Sequence, residues 1–164
     1  MTQVAITPRW SPARLRSSIQ SHPKRRVVLV ADDDRAMRRW VGCALRSVGY
    51  DVEECAGGAA LLERMGTSLM NRRETIEAVI TDVRMPGFTG LQVLEGLERA
   101  HRTTPVVLMT AFAAELGDVR ARNHAGIEVL VKPFDIDDLL TAVVRVMLAA
   151  AAQRAHHTEV GHAA

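Results

Sequence analysis

The stretch "VVLVADDDRAMRRW", residues 27–40, decides how the chain is to be read. Five apolar residues run without interruption into Asp32, Asp33 and Asp34, and a helix-like segment follows at once. A continuous apolar run of this kind fits a parallel strand covered on both faces. Beyond it, Met37, Trp40, Val41, Ala44, Leu45 and Val48 recur at the spacing of one buried helix face. The three aspartates pose an electrostatic problem, because like charges in contact repel by about 4 kcal/mol at an effective dielectric near 20. A helix N-terminus can relieve it by taking the side chains as caps. A divalent cation seated among the carboxylates would relieve it too. The trio fits both equally well.

The same alternation continues along the chain. Short β-rich runs occur at 27–31, 51–55, 77–81, 105–110 and 127–131, with "DVEEC" (51–55) polar enough for an edge. Between and after them, Leu61, Leu62 and Met65, then Leu91, Leu94 and Leu97, then Ile136, Leu139, Leu140, Val143, Val144, Met147 and Leu148 mark helix faces. The segment 112–124 is a weaker helix, with Phe112, Leu116 and Val119 in phase. Five strands alternating with five helices specify a doubly wound parallel α/β sheet. In such sheets the ligand site lies beyond the carboxyl ends of the strands, where the strand order switches. The residues ending the strands are Asp32, Asp33, Asp82, Thr110 and Lys132, each able to handle a phosphate or a metal.

Composition narrows the classes. With 48% hydrophobic residues in 164, the chain can build a sizeable core. No apolar stretch reaches the roughly 20 residues of a membrane span, and Arg145 interrupts the longest, 139–152. No secretory h-region is visible, and the two cysteines, Cys43 and Cys55, lack paired spacing, so a cytoplasmic location with free thiols is expected. Residues 1–26 carry Arg9, Arg14, Arg16, Lys24, Arg25 and Arg26 and no acid, which leaves the rest acidic on balance. The organisation expected is a flexible basic extension (1–24), one folded domain (25–149) and a fraying C-terminal tail (150–164). His101, His124, His156, His157 and His162 lack zinc-ligand spacing, and Trp10 has no assigned role.

"VITDVRMPGFTG", residues 79–90, adds chemistry to the fold. Asp82 ends a buried strand, and Pro86, Gly87 and Gly90 follow in a turn that keeps its carboxylate accessible. A carboxylate beside a divalent cation can attack phosphorus to form an acyl phosphate. Mg²⁺ suits an oxygen-only cradle. The Thr110 hydroxyl and the Lys132 ammonium can each donate to a phosphoryl oxygen. The Lys132–Pro133 bond is a candidate for the cis form.

"VLVADDDRAMRR", "VITDVRMPGFTGLQVL", "VVLMTA" and "VLVKPF", in that order, resemble the receiver domain of two-component response regulators over about residues 26–148. The resemblance implies a flavodoxin-like sheet in the order 2-1-3-4-5 with helices on both faces. It implies that Asp82 accepts a phosphoryl group from a phosphohistidine of a sensor histidine kinase or phosphotransfer protein. It assigns Asp33 and Asp82 as direct Mg²⁺ ligands, Asp32 as a ligand through water, and the backbone carbonyl of Arg84 as completing the site. Thr110 and Lys132 correspond to the switch hydroxyl and the phosphate-pairing lysine. Such a protein is not an enzyme on other substrates; it catalyses only its own phosphorylation and dephosphorylation.

Val129 departs from the family pattern, which has Tyr or Phe three residues before the lysine. Signalling is therefore expected to run through the Thr110 loop and the helix at 112–124. Arg84 and Phe112 border the path of the hydrolytic water in the family, so slow dephosphorylation is expected. Two rival readings are a phosphatase of the haloacid dehalogenase type, with Asp32 as nucleophile and Asp34 in its Asp-x-Asp motif, and a receiver-fold interaction module independent of phosphorylation. The first leaves Asp82 and its loop without a role. No helix-turn-helix pattern follows residue 150, so the expectation is a stand-alone receiver, monomer or weak dimer, docking on a downstream protein rather than on nucleic acid or membrane.

Overall fold

The computed structural model describes residues 24–71, 73–99, 104–112, 114 and 126–160. The expectations for residues 1–23, for most of the segment 112–124 and for His101, His124 and His162 lie outside the described residues, as do the side chains of His156 and His157. Strands β1 (Arg25–Ala31), β2 (Val52–Cys55), β3 (Glu74–Asp82), β4 (Val106–Thr110) and β5 (Ile127–Val131) form one sheet. Helices α1 (Arg35–Ser47), α2 (Gly58–Met70) and α3 (Gly90–Arg99) follow the first three strands, and α4 (Ile136–Val160) follows β5. The strand order is β2-β1-β3-β4-β5, and every pairing is parallel. This is the flavodoxin-like, doubly wound topology expected from the sequence, with the polar β2 at an edge.

The apolar run of β1 divides between two cores because successive side chains point to opposite faces. Val27, Leu29 and Ala31 join Val79, Val106 and Leu108 beneath Leu61, Val93, Leu94 and Leu97 of α2 and α3. Val28 and Val30 join Ile80, Val107 and Met109 on the other face, against Val41, Ala44 and Leu45 of α1 and Leu139, Val143 and Val146 of α4. Each fully buried aliphatic side chain here contributes about 1.5–3 kcal/mol of transfer free energy. With both faces covered, the strand ends are left as the accessible polar surface.

The helix faces differ in detail from the periodicity. Trp40 is 37% exposed and leans on Phe134 at 5.8 Å between ring centroids, while Val48 is exposed as the C-cap of α1. On α4, Ile136, Val144 and Leu148 are exposed, and Ala142 and Val146 complete the buried face instead. The inward direction of α4 is fixed by Leu139, Val143 and Val146, so positions 136, 144 and 148 fall on its flank. The helix also continues to Val160, past residue 149, where Ala149–Ala152 are strong helix formers. Among the described residues, no helix is long and apolar enough to cross a membrane.

The basic stretch ends inside the sheet. Strands β1 and β3 start at Arg25 and Glu74, earlier than apolar content suggests, because ion pairs hold their polar ends. Arg25 pairs with Asp51 at 2.7 Å and Glu53 at 2.6 Å, and Arg64 of α2 pairs with Glu74 at 2.7 Å and with Glu53. Arg26 pairs with Glu77. The two arginines, Arg64 foremost, hold the Glu53 carboxyl below its usual range.

The two thiols occupy opposite environments. Cys43 is exposed, whereas burial pushes the Cys55 thiol up to about 11. Iodoacetamide at pH 8 is therefore expected to alkylate Cys43 alone, with the Cys55 adduct appearing only in denaturant. Mass spectrometry after a brief exposure reads this directly, and equal labelling of both sites would contradict the packing of β2.

Candidate functional site

At the carboxyl ends of β1, β3 and β5, three side chains meet. Lys132 Nζ donates to Asp82 Oδ1 at 2.6 Å and to Asp32 Oδ2 at 3.0 Å. Each carboxylate is held at its second oxygen by a backbone amide: Asp34 N–H donates to Asp32 Oδ1 at 2.8 Å, and Arg84 N–H to Asp82 Oδ2 at 2.7 Å. Asp32 is 1% and Asp82 7% exposed, so these bonds replace nearly all of their water. The strand ends themselves are fixed by the backbone. Lys132 N–H donates to the Thr110 carbonyl at 2.7 Å, Val83 N–H to the Met109 carbonyl at 2.8 Å, and the Lys132–Pro133 bond is cis.

The three adjacent aspartates thus divide their tasks. Asp34 is the N-cap of α1 and accepts from Ala36 N–H at 2.7 Å and Met37 N–H at 3.4 Å. Asp32 turns inward to Lys132, and Asp33 is exposed at the rim. Capping thus accommodates Asp34, while Asp32 is accommodated by a lysine ammonium rather than by the divalent cation considered from the sequence. Burial raises the Asp32 pKa above its ordinary value, and the charge of Asp82 adds to the effect against the pull of Lys132. For Lys132, burial lowers the pKa, but the hydrogen bonds to Asp82 and Asp32 outweigh it and the net shift is upward. Its ion pairing contributes stability that is present below the ordinary lysine pKa and is lost as pH rises through the raised value.

The residues expected from sequence are all at strand ends, but they are not all engaged with one another. Among the described residues, no three His, Cys, Asp or Glu side chains converge as a metal-binding group. The expected carboxylate trio closes instead as two carboxylates and an ammonium, because the buried pair needs a positive charge and Lys132 supplies it. Thr110 is buried, and its hydroxyl faces Phe112: it accepts from Phe112 N–H at 3.0 Å and lies 3.4 Å from the Phe112 carbonyl. The Arg84 guanidinium stacks over the Phe112 ring, 4.3 Å from its centroid. Val129 sits on β5 opposite Leu108, half-buried against the first core.

Three positioning residues were not legible beforehand. Arg38 reaches back from α1 to the Asp32 carbonyl at 2.6 Å. Gly90 opens α3 rather than belonging to the loop, and its N–H donates to the Val83 carbonyl at 3.0 Å. A Cβ there would stand 2.4 Å from the Asp82 carbonyl oxygen, so only glycine lets α3 start this close to the strand end. Gly58 does the same for α2 against the Phe88 backbone, where a Cβ would approach to 2.1 Å. A run of spaced glycines was the available signal for the last two; a side chain folding back over six residues leaves none.

Comparison with known proteins is consistent throughout. The model of the response regulator receiver domain matches residues 28–144. The DNA-binding transcriptional regulator NtrC of Escherichia coli K12 is 32% identical over 124 residues, covering 76% of this chain and 25% of that protein. The activator PfeR of Pseudomonas aeruginosa is 35% identical over 119 residues, covering 73% and 36%. The chain therefore corresponds to about a quarter to a third of the length of these two relatives. Among solved structures, the chemotaxis response regulator CheY4 of Vibrio cholerae aligns with a TM-score of 0.60 and 28% identity over 74% of this chain and 98% of that one. A receiver protein of Sinorhizobium medicae aligns with a TM-score of 0.66 at 24% identity over 77% and 98%, which speaks to the fold.

Removing the shared cation tests the electrostatics of the site. Lys132→Met removes the charge while keeping an unbranched side chain one atom shorter, and leaves two buried carboxylates without their shared cation. It is expected to cost about 3 kcal/mol at pH 7, at the low end for a broken buried pair because Lys132 is 21% exposed. The cost should shrink at pH 5, where a carboxyl can take up a proton instead. Urea unfolding midpoints at the two pH values measure both effects, and a loss independent of pH would contradict the account.

Proposed function

The chain belongs to the response regulator receiver family of two-component systems, and on that footing we propose that Asp82 is its phosphoacceptor. The observation that carries this reading is the convergence of Asp82, Asp32 and Lys132 at the switch point of the sheet, with Asp82 held by one ammonium and one amide. The donor is a phosphohistidine of a sensor kinase or phosphotransfer protein. An Asp82 oxygen attacks phosphorus, the O–P bond forms as the P–N bond breaks, and the imidazole leaves with the electron pair. The Lys132 ammonium, already on Asp82 Oδ1, follows the incoming charge onto a phosphoryl oxygen. The Arg84 amide keeps the other carboxylate oxygen oriented. The Thr110 hydroxyl is the second donor to the phosphoryl group.

The donor set fits a hard cation. Asp32 and Asp82 beside Lys132, with Asp33 exposed at the rim, leave the strand ends net negative, with oxygen as the only ligand type. Asp32, Asp33, Asp82 and the Arg84 carbonyl would hold Mg²⁺, which when bound neutralises charge on the transferring phosphoryl group. Arg84, Phe112 and Val129 act as modulators of the site. The protein works in the cytoplasm, as a folded unit that begins near residue 25 and whose last helix runs on past residue 149, and catalyses no turnover beyond its own phosphorylation state. Its output is the docking of a downstream protein.

Incubation with acetyl phosphate and Mg²⁺ tests the assignment. One phosphoryl adduct is expected, mapping to Asp82 and falling to background in Asp82→Asn, as read by intact-mass and borohydride-trapped peptide analysis. Label on Asp32 instead would overturn the reading in favour of a dehalogenase-type phosphatase.

A further inference from the structure

Strand β2 carries an acid where its alternation calls for an apolar residue. Glu54 stands opposite Val30 of β1, on the face where Val52 joins the core beneath α1. Its carboxylate lies between two arginines of that helix: Arg46 donates to Oε1 at 2.9 Å, and Arg38 Nε stands 3.8 Å from Oε2. Gly42, midway between the arginines, makes the room, since a Cβ there would stand 2.9 Å from Glu54 Oε1. The Arg38 side chain is nearly buried, and through Nη1 it donates to the Asp32 carbonyl at 2.6 Å. Asp33 is the residue this contact governs. A peptide unit is planar, so the Asp32 carbonyl, the Asp33 nitrogen and the Asp33 Cα move together. Arg38 holds that plane, and Asp32 Oδ1 holds the next one by accepting from Asp34 N–H at 2.8 Å. Asp33 itself is exposed, and among the described residues no hydrogen bond or ion pair fixes its carboxylate.

We propose that Arg38, oriented by Glu54, is a positioning residue that aims Asp33 at the divalent cation, so that the edge strand β2 helps to set cation affinity. This inference rests on Asp33 being a ligand of that cation. A guanidinium offers several donors in a rigid planar fork, so one nitrogen can hold the carbonyl while another faces the carboxylate. Without Glu54, the long Arg38 side chain regains rotamers that leave the Asp32 carbonyl for water. With the carboxylate beside it, the fork is confined to the arrangement that reaches back to the strand end. Glycine is unfavourable in a helix interior, and room for Glu54 is what α1 gains from Gly42. Geometry and charge here pull in opposite directions. Arg38 is a cation close to a cation site, and its charge alone repels the ion. Removing it tightens binding if charge decides and weakens binding if aim decides.

Titration of the full chain with Mn²⁺, an ion suited to the same oxygen ligands, tests this through the electron paramagnetic resonance signal of the free ion. Arg38→Met is expected to weaken binding about ten-fold, the scale on which partners of metal ligands act. Glu54→Gln should weaken it in the parent chain and add little in the Arg38→Met background. Gly42→Ala changes no charge and displaces only the flexible ends of Glu54 and Arg46, so it keeps the fold and is expected to weaken binding several-fold. Arg25→Met breaks ion pairs at the other end of β1 and should lower the urea midpoint while leaving Mn²⁺ affinity unchanged. During labelling by acetyl phosphate, Arg38→Met should raise the Mg²⁺ concentration needed for half the maximal rate, with the rate at saturating Mg²⁺ close to that of the parent chain. Unchanged or tighter Mn²⁺ binding in Arg38→Met overturns the positioning pair and leaves the cation site intact. Unchanged binding in Gly42→Ala does the same if Arg38→Met does not fold, as does an equal loss of affinity in Arg25→Met. No Mn²⁺ bound by the parent chain overturns both the cation site and this inference.

Discussion

Two carboxylates nearly cut off from water need a positive charge between them, and Lys132 brings it from fifty residues beyond one and a hundred beyond the other. Most of the architecture serves that meeting. The parallel order β2-β1-β3-β4-β5 puts the ends of β1 and β3 side by side, and β5 reaches the same edge through β4. The two apolar cores cover the faces of the sheet and leave the strand ends as its polar opening. Backbone bonds from Lys132 to Thr110 and from Val83 to Met109 then set the depth at which each strand stops.

The site is held on both sides by donors that a phosphoryl group would also want. Asp82 has no oxygen left without a partner, and the ammonium and amide that hold it are the groups best suited to an added negative charge. Thr110 faces elsewhere, towards Phe112, and Asp33 stands exposed at the rim. The pocket is thus assembled for charge, with one hydroxyl held in reserve.

Much of this was legible in the sequence, and the reasons differ by residue. An unbroken apolar run announces a parallel strand, so the strand ends, and with them Asp32, Asp82, Thr110 and Lys132, could be located before any coordinate. Local periodicity was less reliable for helix faces. Trp40 and Val144 keep helical spacing with buried neighbours, yet lie on flanks that the partner element does not reach. Patterns also say nothing of long side chains that fold back, such as Arg38 onto the Asp32 carbonyl, nor of which of three adjacent aspartates turns inward. Those choices depend on a lysine from the far end of the chain.

The two ends of the sheet are secured by different physics. At the opening, the carboxylates and their lysine are largely shielded from solvent. At the opposite end, Arg25, Arg64, Asp51, Glu53 and Glu74 form a ladder in which Arg25 remains about half exposed, at 49%. Mobile ions reach the Arg25 pairs more easily than the Lys132 pairs, since screening at physiological ionic strength acts over about 8 Å of water. Rising salt therefore weakens the hold on the amino end of β1 first, so that the molecule softens from its base before its carboxylate-lined rim.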